Sequence, residues 1–187
     1  MKKQTKLWLS AGALLAAAAL VSSCSSSHLP LETVASVDLD RYQGRWYEIA
    51  RFPQRYEKGC HCVYAEYTKH PEGYVEVYNF CRKGGPSGKE EGAKGKAFPV
   101  AGSGNSKLKV QFFWPFRGDY WILELDPDYR HVLVGSPDRE SLWILSRTPQ
   151  LDQALYDRLV QVARQKGFPV EKLQVTDQSC YTDTQGQ

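Results

Sequence analysis

From Gly44 onward, apolar and polar residues alternate in short runs, each bounded by glycine, proline or charge. A period of two marks half-buried strands. The pattern predicts eight: Gly44 to Phe52, Cys62 to Lys69, Tyr74 to Arg82, Gly92 to Val100, Lys107 to Trp114, Tyr120 to Leu125, His131 to Gly135 and Ser141 to Arg147. His70-Pro71-Glu72-Gly73, Ala101 to Ser106 and Asp126 to Tyr129 read as turns, and the Gly-rich, charged stretch Lys83 to Glu91 as a loop. Asp38 suits the cap of one helical turn ending at Tyr42. One long helix is expected late in the chain, with Thr148 as N-cap, Pro149 at its first position and Gly167 as its stop. Its stripe Leu151, Leu155, Leu159 and Val162 would lie on the wall of the strand domain. A short ninth strand follows, Lys172 to Thr176. Eight short strands with short turns make an all-β barrel or sandwich.

Alternation also assigns faces. In the second strand Val63, Ala65 and Tyr67 share a side, and in the third Val75, Val77 and Asn79 do. If Arg147 at the end of the eighth strand points inward, so do Leu145 and Trp143. If Phe112 faces inward, so do Val110 and Trp114. A guanidinium such as that of Arg147 can lie over an indole face, and Trp46, two residues after Gly44, is the partner it suggests.

The first residues carry a different pattern. Met1 to Lys6 is basic, Leu7 to Val21 is apolar but short for a membrane span, and Val21-Ser22-Ser23-Cys24 puts small residues before a cysteine. This describes a secretory signal peptide over residues 1–23, and it resembles the signal of bacterial lipoproteins. The resemblance implies acylation of Cys24 and cleavage before it. Two or more acyl chains anchor a protein stably. Ser25, in place of the aspartate that retains such proteins at the inner membrane, favours the outer membrane and a domain facing the periplasm. Residues 24–37 read as a tether, and residues 38–187 as the barrel domain.

Composition adds aromatic richness, with seven Phe, eleven Tyr and five Trp. The net charge of +3 arises from Lys2, Lys3 and Lys6 in the signal, so the remaining chain has no field that would recruit nucleic acid. Cys60, Cys62, Cys81 and Cys180 remain after Cys24, an even number that in an exported protein reads as two disulfides rather than a metal site. A hairpin of the second and third strands brings Cys60 and Cys62 near Cys81. Three pairings are possible, and spacing does not choose among them.

Three stretches together resemble the lipocalin family, in particular bacterial outer-membrane lipocalins and relatives of the apolipoprotein D type: Gly44-Arg45-Trp46-Tyr47-Glu48-Ile49-Ala50-Arg51; Tyr120-Trp121-Ile122-Leu123 with Asp128-Tyr129-Arg130-His131; and Leu142-Trp143-Ile144-Leu145-Ser146-Arg147-Thr148-Pro149. The resemblance implies an eight-stranded antiparallel up-and-down barrel with one external helix. Trp46 and Arg147, with Gly44, would close its floor, and one small ligand would fit inside. It pairs Cys62 with Cys180, which leaves Cys60 for Cys81, a departure from the usual family pattern. It places ligand contacts at Trp143, Phe112, Tyr67 and Asn79, and the faces above add Val77, Val110 and Leu145. The implied partner is a hydrophobic small molecule such as a fatty acid or lysophospholipid, with no cofactor or metal, in a monomer or homodimer held to the membrane by the N-terminal anchor. Two other readings stand beside this binder. One is an isomerase using Cys81 as a cavity thiol; the other is a tetrapyrrole carrier using His61 or His131. The aromatic loop Phe113-Trp114-Pro115-Phe116 would either touch membrane or fold over the cavity.

Overall fold

The structure, a computed structural model, describes residues 30–181. The expected signal peptide and the acylated Cys24 lie outside the described residues. Eight strands form the barrel: β1 (Gly44–Arg51), β2 (Cys60–Lys69), β3 (Val75–Lys83), β4 (Lys89–Pro99), β5 (Lys107–Gln111), β6 (Gly118–Leu125), β7 (His131–Gly135) and β8 (Leu142–Ser146). Each pairs antiparallel with the next, and β1 closes the sheet by pairing with both β8 and β2. A short helix α1 (Leu39–Tyr42) precedes β1, a longer helix α2 (Gln153–Gln165) follows β8, and a two-residue β9 (Gln174–Val175) adds to β1.

The alternation expected along the strands holds in the register. Trp46 faces Ala65, Tyr67 faces Val77 and Ala65 faces Asn79. Val134 faces Trp143 and Val132 faces Leu145. Asn79 apart, these side chains form, or pack against, one buried cluster inside the barrel. The opposite faces of β1, β7 and β8 give a second cluster with Leu159, Ala163 and Phe168 of the helical segment. The barrel therefore has a core inside and another between its wall and α2. Apolar burial on both sides of β7 explains why all five of its residues are buried.

One end is shut. Arg147 lies over the Trp46 ring at 3.9 Å. Its guanidinium donates to the carbonyls of Tyr129 at 3.1 Å, Arg45 at 2.9 Å and Arg41 at 2.8 Å. Trp46 Nε1 donates to the Tyr42 carbonyl at 2.9 Å, and no part of Trp46 reaches solvent. Gly44 has a φ of +87°, and a Cβ there would lie 3.5 Å from Arg147 Nη1. A side chain there would be strained by the backbone, while its Cβ would meet the guanidinium only at ordinary contact distance.

Several boundaries differ from those the pattern predicts. β4 starts at Lys89 because Lys89 to Glu91 pair with Lys83 to Cys81, so part of the expected loop is strand. β5 ends at Gln111, where the chain turns and Phe116 N bonds Phe113 O at 2.9 Å. Trp114 is consequently exposed, not inward as simple alternation placed it. α2 starts at Gln153 with Asp152 as its N-cap, accepting from Leu155 N at 3.0 Å. Thr148 does not cap it, because its hydroxyl is spent on the Gln150 carbonyl at 2.7 Å. Residues 30–37, which the polar composition assigned to a tether, lie on the barrel: Leu31 and Val37 are buried and Val34 N donates to Ile122 O at 3.0 Å.

The closed floor generates a stability prediction. Trp46→Ala removes a fully buried indole and the cation–π contact, and is expected to cost about 3–5 kcal/mol. Urea unfolding checks it; an unchanged midpoint would contradict the role of Trp46 as the plug.

Candidate ligand cavity and its polar rim

Strand direction fixes the open end. It is the end of the loops after β1, β3, β5 and β7, opposite Arg147. The residues singled out for ligand contact all face the interior, but at different depths. Tyr67, Val77 and Leu145 are buried toward the floor. Asn79, Val110, Phe112 and Trp143 are half-buried. The wall is thinnest along β4, whose inward positions are Ala93, Gly95 and Ala97 by their pairing with Asn79, Val77 and Val75. Ala93 is exposed although it is an inward residue, so the interior opens to solvent there. Gly95 leaves room for Phe112, whose ring carbon lies 2.9 Å from where a Cβ would stand. The inner wall there is made of aromatic and small apolar side chains with few polar groups, the lining a site for an apolar ligand needs.

The deep hydroxyls inside are engaged with one another. The Tyr120 hydroxyl meets the Tyr42 hydroxyl at 2.7 Å and accepts from Tyr67 at 2.9 Å. Burial raises the pKa of all three phenols, that of Tyr67 to about 12, so they stay neutral. This deep trio is a hydrogen-bonded unit rather than an ionic site.

Nearer the mouth is a buried charge cluster that strand reading did not identify. Glu48 and Arg51 both point inward because a bulge lies between Glu48 and Ala50. Arg51 Nε is 3.1 Å from Glu48 Oε1 and 2.8 Å from Glu57 Oε2. Its N–H is aligned with neither oxygen, so these contacts are coulombic; Nη2 donates to the Glu57 carbonyl at 3.0 Å. Glu57 sits on the 3-10 turn Arg55–Glu57 of the β1–β2 loop. Glu48 also accepts from Thr176 at 2.5 Å. The cluster thus holds the loop and the C-terminal segment to the rim. A clue was available in sequence: Glu48 is two residues from the inward Trp46, an acid at a core position.

The C-terminal segment also fills a gap. β2 pairs with β1 only over Gly44 to Tyr47. Beyond it, Thr176 N donates to Ile49 O at 2.9 Å and Cys62 N to Asp177 O at 2.8 Å. Gln178 Nε2 donates to both Glu48 O and Val63 O, each at 2.7 Å. The structure joins Cys62 to Cys180 and Cys60 to Cys81. Cys81 therefore faces inward as a half-cystine. His61 Nδ1 is 3.2 Å from Asp177 Oδ2, and His131 lies on the outer face beside Arg158. Neither histidine points at the cavity.

The lipocalin-like domain model matches residues 37–178. Temperature-induced lipocalin-1 of Arabidopsis thaliana is 43% identical over 157 residues, covering 80% of this chain and 83% of its own. The outer membrane lipoprotein Blc of Escherichia coli K12 is 43% identical over 160 residues, covering 83% and 89%. Mouse apolipoprotein D is 35% identical over 151 residues, covering 76% and 77%. Among solved structures, insecticyanin from the tobacco hornworm Manduca sexta superposes with a TM-score of 0.63 at 21% identity, covering 79% of this chain and 84% of that one. Apocrustacyanin C2 gives 0.63 at 19%, with the same coverage. At that identity the likeness shows the fold alone.

The charge cluster generates a pH prediction. Burial raises the pKa of both carboxyls, and for Glu57 the nearby Glu48 adds to it; Arg51 opposes the rise in both. Glu57 is pushed from 4.5 to about 8. Between those values the folded state binds more protons than the unfolded state, so stability falls as pH rises through the window and levels off above it. Glu57→Gln supplies a neutral side chain of the same shape. It should flatten the fall and stabilise the protein at pH 9 by about 1 kcal/mol or more, the value of one pKa unit being 1.36 kcal/mol. Urea titrations at pH 5 and pH 9 check this; equal slopes with pH in both proteins would overturn it.

Proposed function

Because this chain belongs to the lipocalin family, we propose that it is a lipid-anchored envelope protein that holds the acyl chain of a fatty acid or lysophospholipid inside its barrel. Its family marks it as a binder of small hydrophobic molecules, and storage or transport of membrane lipid follows from the anchor. The observation that carries the reading is the inner wall. Val110, Phe112 and Trp143 are half-buried, face inward and line a barrel closed at one end. Such a space suits a long apolar chain that enters from one side. Binding is driven by apolar burial, at about 25 cal/mol per Å² less the costs of association.

The anchor rests on the N-terminal pattern that ends in Val21-Ser22-Ser23-Cys24. The relatives named outer membrane lipoproteins support a place at the outer membrane; a barrel facing the periplasm is part of the same proposal. The other two readings find less support. The inward cysteine, Cys81, is bonded to Cys60 and offers no thiolate. His61 and His131 are turned away from the cavity.

Mass spectrometry of lipid that copurifies with the full chain from its own envelope identifies the cargo, and the mass of the N-terminal peptide tests acylation at Cys24. Phe112→Arg places a guanidinium against the cavity wall. It should weaken displacement of a fluorescent fatty acid by about tenfold or more, because an unpaired charge beside an acyl chain costs more than about 1.4 kcal/mol. An unchanged Kd in a variant with an unchanged melting curve would sink the assignment.

A further inference from the structure

Of the four loops at the open end, the one after β5 is apolar at its tip. Phe113 is 75% exposed, Trp114 84% and Phe116 76%. Across the mouth, Tyr56 on the β1–β2 loop is 64% exposed. Soluble proteins rarely leave several large aromatics together in water without a partner for them. Cations flank both loops. Arg117 follows the aromatic tip, with its guanidinium over Phe98 at 4.2 Å, and Arg55 and Lys58 stand exposed beside Tyr56. Aromatic rings with neighbouring Lys and Arg are the combination that settles at a membrane–water boundary.

The path of the N-terminal segment points to the same end. Val37 N bonds Gly104 O at the closed end, and Val34 N bonds Ile122 O midway along β6. Going back along the chain, the Glu32 carbonyl accepts from Lys166 Nζ at 3.2 Å. The Lys166 carbonyl in turn accepts from Arg139 Nε at 3.0 Å, in the mouth-end turn between β7 and β8. Leu31 is buried in the cluster that holds Phe52 and Leu142, the mouth-end residues of their segments. Pro30 is therefore at the open end. It lies six positions after Cys24, a reach of about 20 Å fully extended.

We propose that the open end of the barrel docks on a phospholipid bilayer, with Phe113, Trp114 and Phe116 seated at the boundary of headgroups and acyl chains. The cavity mouth then faces the lipid. The nature of the cargo and the anchor at Cys24 rest on the function proposed above; the docking itself rests on the aromatic tip, with the course of residues 30–37 in agreement. Ligand would pass between bilayer and barrel without crossing water.

The test uses the full chain isolated from its membrane and reconstituted in vesicles of phosphatidylethanolamine and phosphatidylglycerol. Tryptophan emission is compared in these vesicles and in vesicles of the same lipids brominated near the glycerol end of the acyl chains. Trp46 is enclosed in the floor, Trp121 lies against the outer wall and Trp143 faces the cavity. Docking predicts loss of the Trp114 emission in brominated vesicles, so that wild type is quenched more than Trp114→Phe. Phe113→Ser combined with Phe116→Ser keeps Trp114 and should reduce its quenching. Quenching of Trp143 by lipid taken into the cavity persists in Trp114→Phe, so failure of cavity binding and failure of docking are read separately. Equal quenching of wild type and Trp114→Phe would overturn the proposal, and would leave the aromatic tip to a protein partner or to solvent.

Discussion

The barrel depends on one contact, the guanidinium of Arg147 over the indole of Trp46. Eight strands of this length make a tube, and a tube needs an end. Trp46 fills the tube with apolar surface and sends its only donor to the Tyr42 carbonyl. Arg147 then covers the ring and satisfies three carbonyls contributed by α1, β1 and the β6–β7 turn. One cation thereby closes three chain segments that have little else in common. Its charge is tolerated because it remains half-exposed while each of its three nitrogens donates to a backbone oxygen. The floor is built from local rules and from one contact that spans a hundred residues.

The other end follows a different logic. Here β1 and β2 part, and the gap would leave backbone groups unpaired in the wall. The C-terminal segment takes their place: β9 and Gln178 supply the missing hydrogen bonds, and Cys62–Cys180 ties the segment down. The Glu48–Arg51–Glu57 cluster lies where this segment and the β1–β2 loop meet. Burial raises the pKa of both acids, the charge of Glu48 adds to the rise at Glu57, and Arg51 opposes it in both. Such clusters add little to stability compared with apolar packing, but they fix geometry. The rim is therefore held in position by polar contacts while the floor is held by a stacked ring.

Alternation made the inner wall legible. Trp46, Tyr67, Val77, Val110, Trp143 and Leu145 fall on the interior because a strand whose one face is buried cannot slip by one residue without exposing its whole apolar set. What escaped was whatever broke the period. Trp114 follows Phe112 by two, yet the strand has already ended, and a proline with two further aromatics turns the chain outward. Thr148 has the right chemistry for a cap but meets the Gln150 carbonyl before the helix begins at Gln153. The charge cluster needs the bulge at Glu48 and the fold of the β1–β2 loop, and neither follows from the period of β1 alone. The packing of Leu31 and Val37 was hidden for the opposite reason: a few apolar residues in so short a stretch fix no face, and only the fold shows that Leu31 joins the cluster under α2 and Val37 the one at the closed end.

Selectivity inside the barrel has few polar means. The tyrosine hydroxyls bond each other, and Glu48, Arg51 and Glu57 are occupied by the loop and the C-terminal segment. Asn79 is the inward amide that remains half-buried on the wall. An interior with so few available polar groups discriminates mainly by shape, because a missing methylene changes affinity far less than an unpaired polar group would. Its width is set on the β4 side by Ala93, Gly95 and Ala97, where larger side chains would meet Phe112 or narrow the opening. A straight chain of variable length tolerates such a tube better than a rigid ring system does, and it can leave its headgroup at the mouth. With the floor closed by Arg147 over Trp46, a molecule entering the barrel comes from the opposite end or past the thin β4 wall at Ala93.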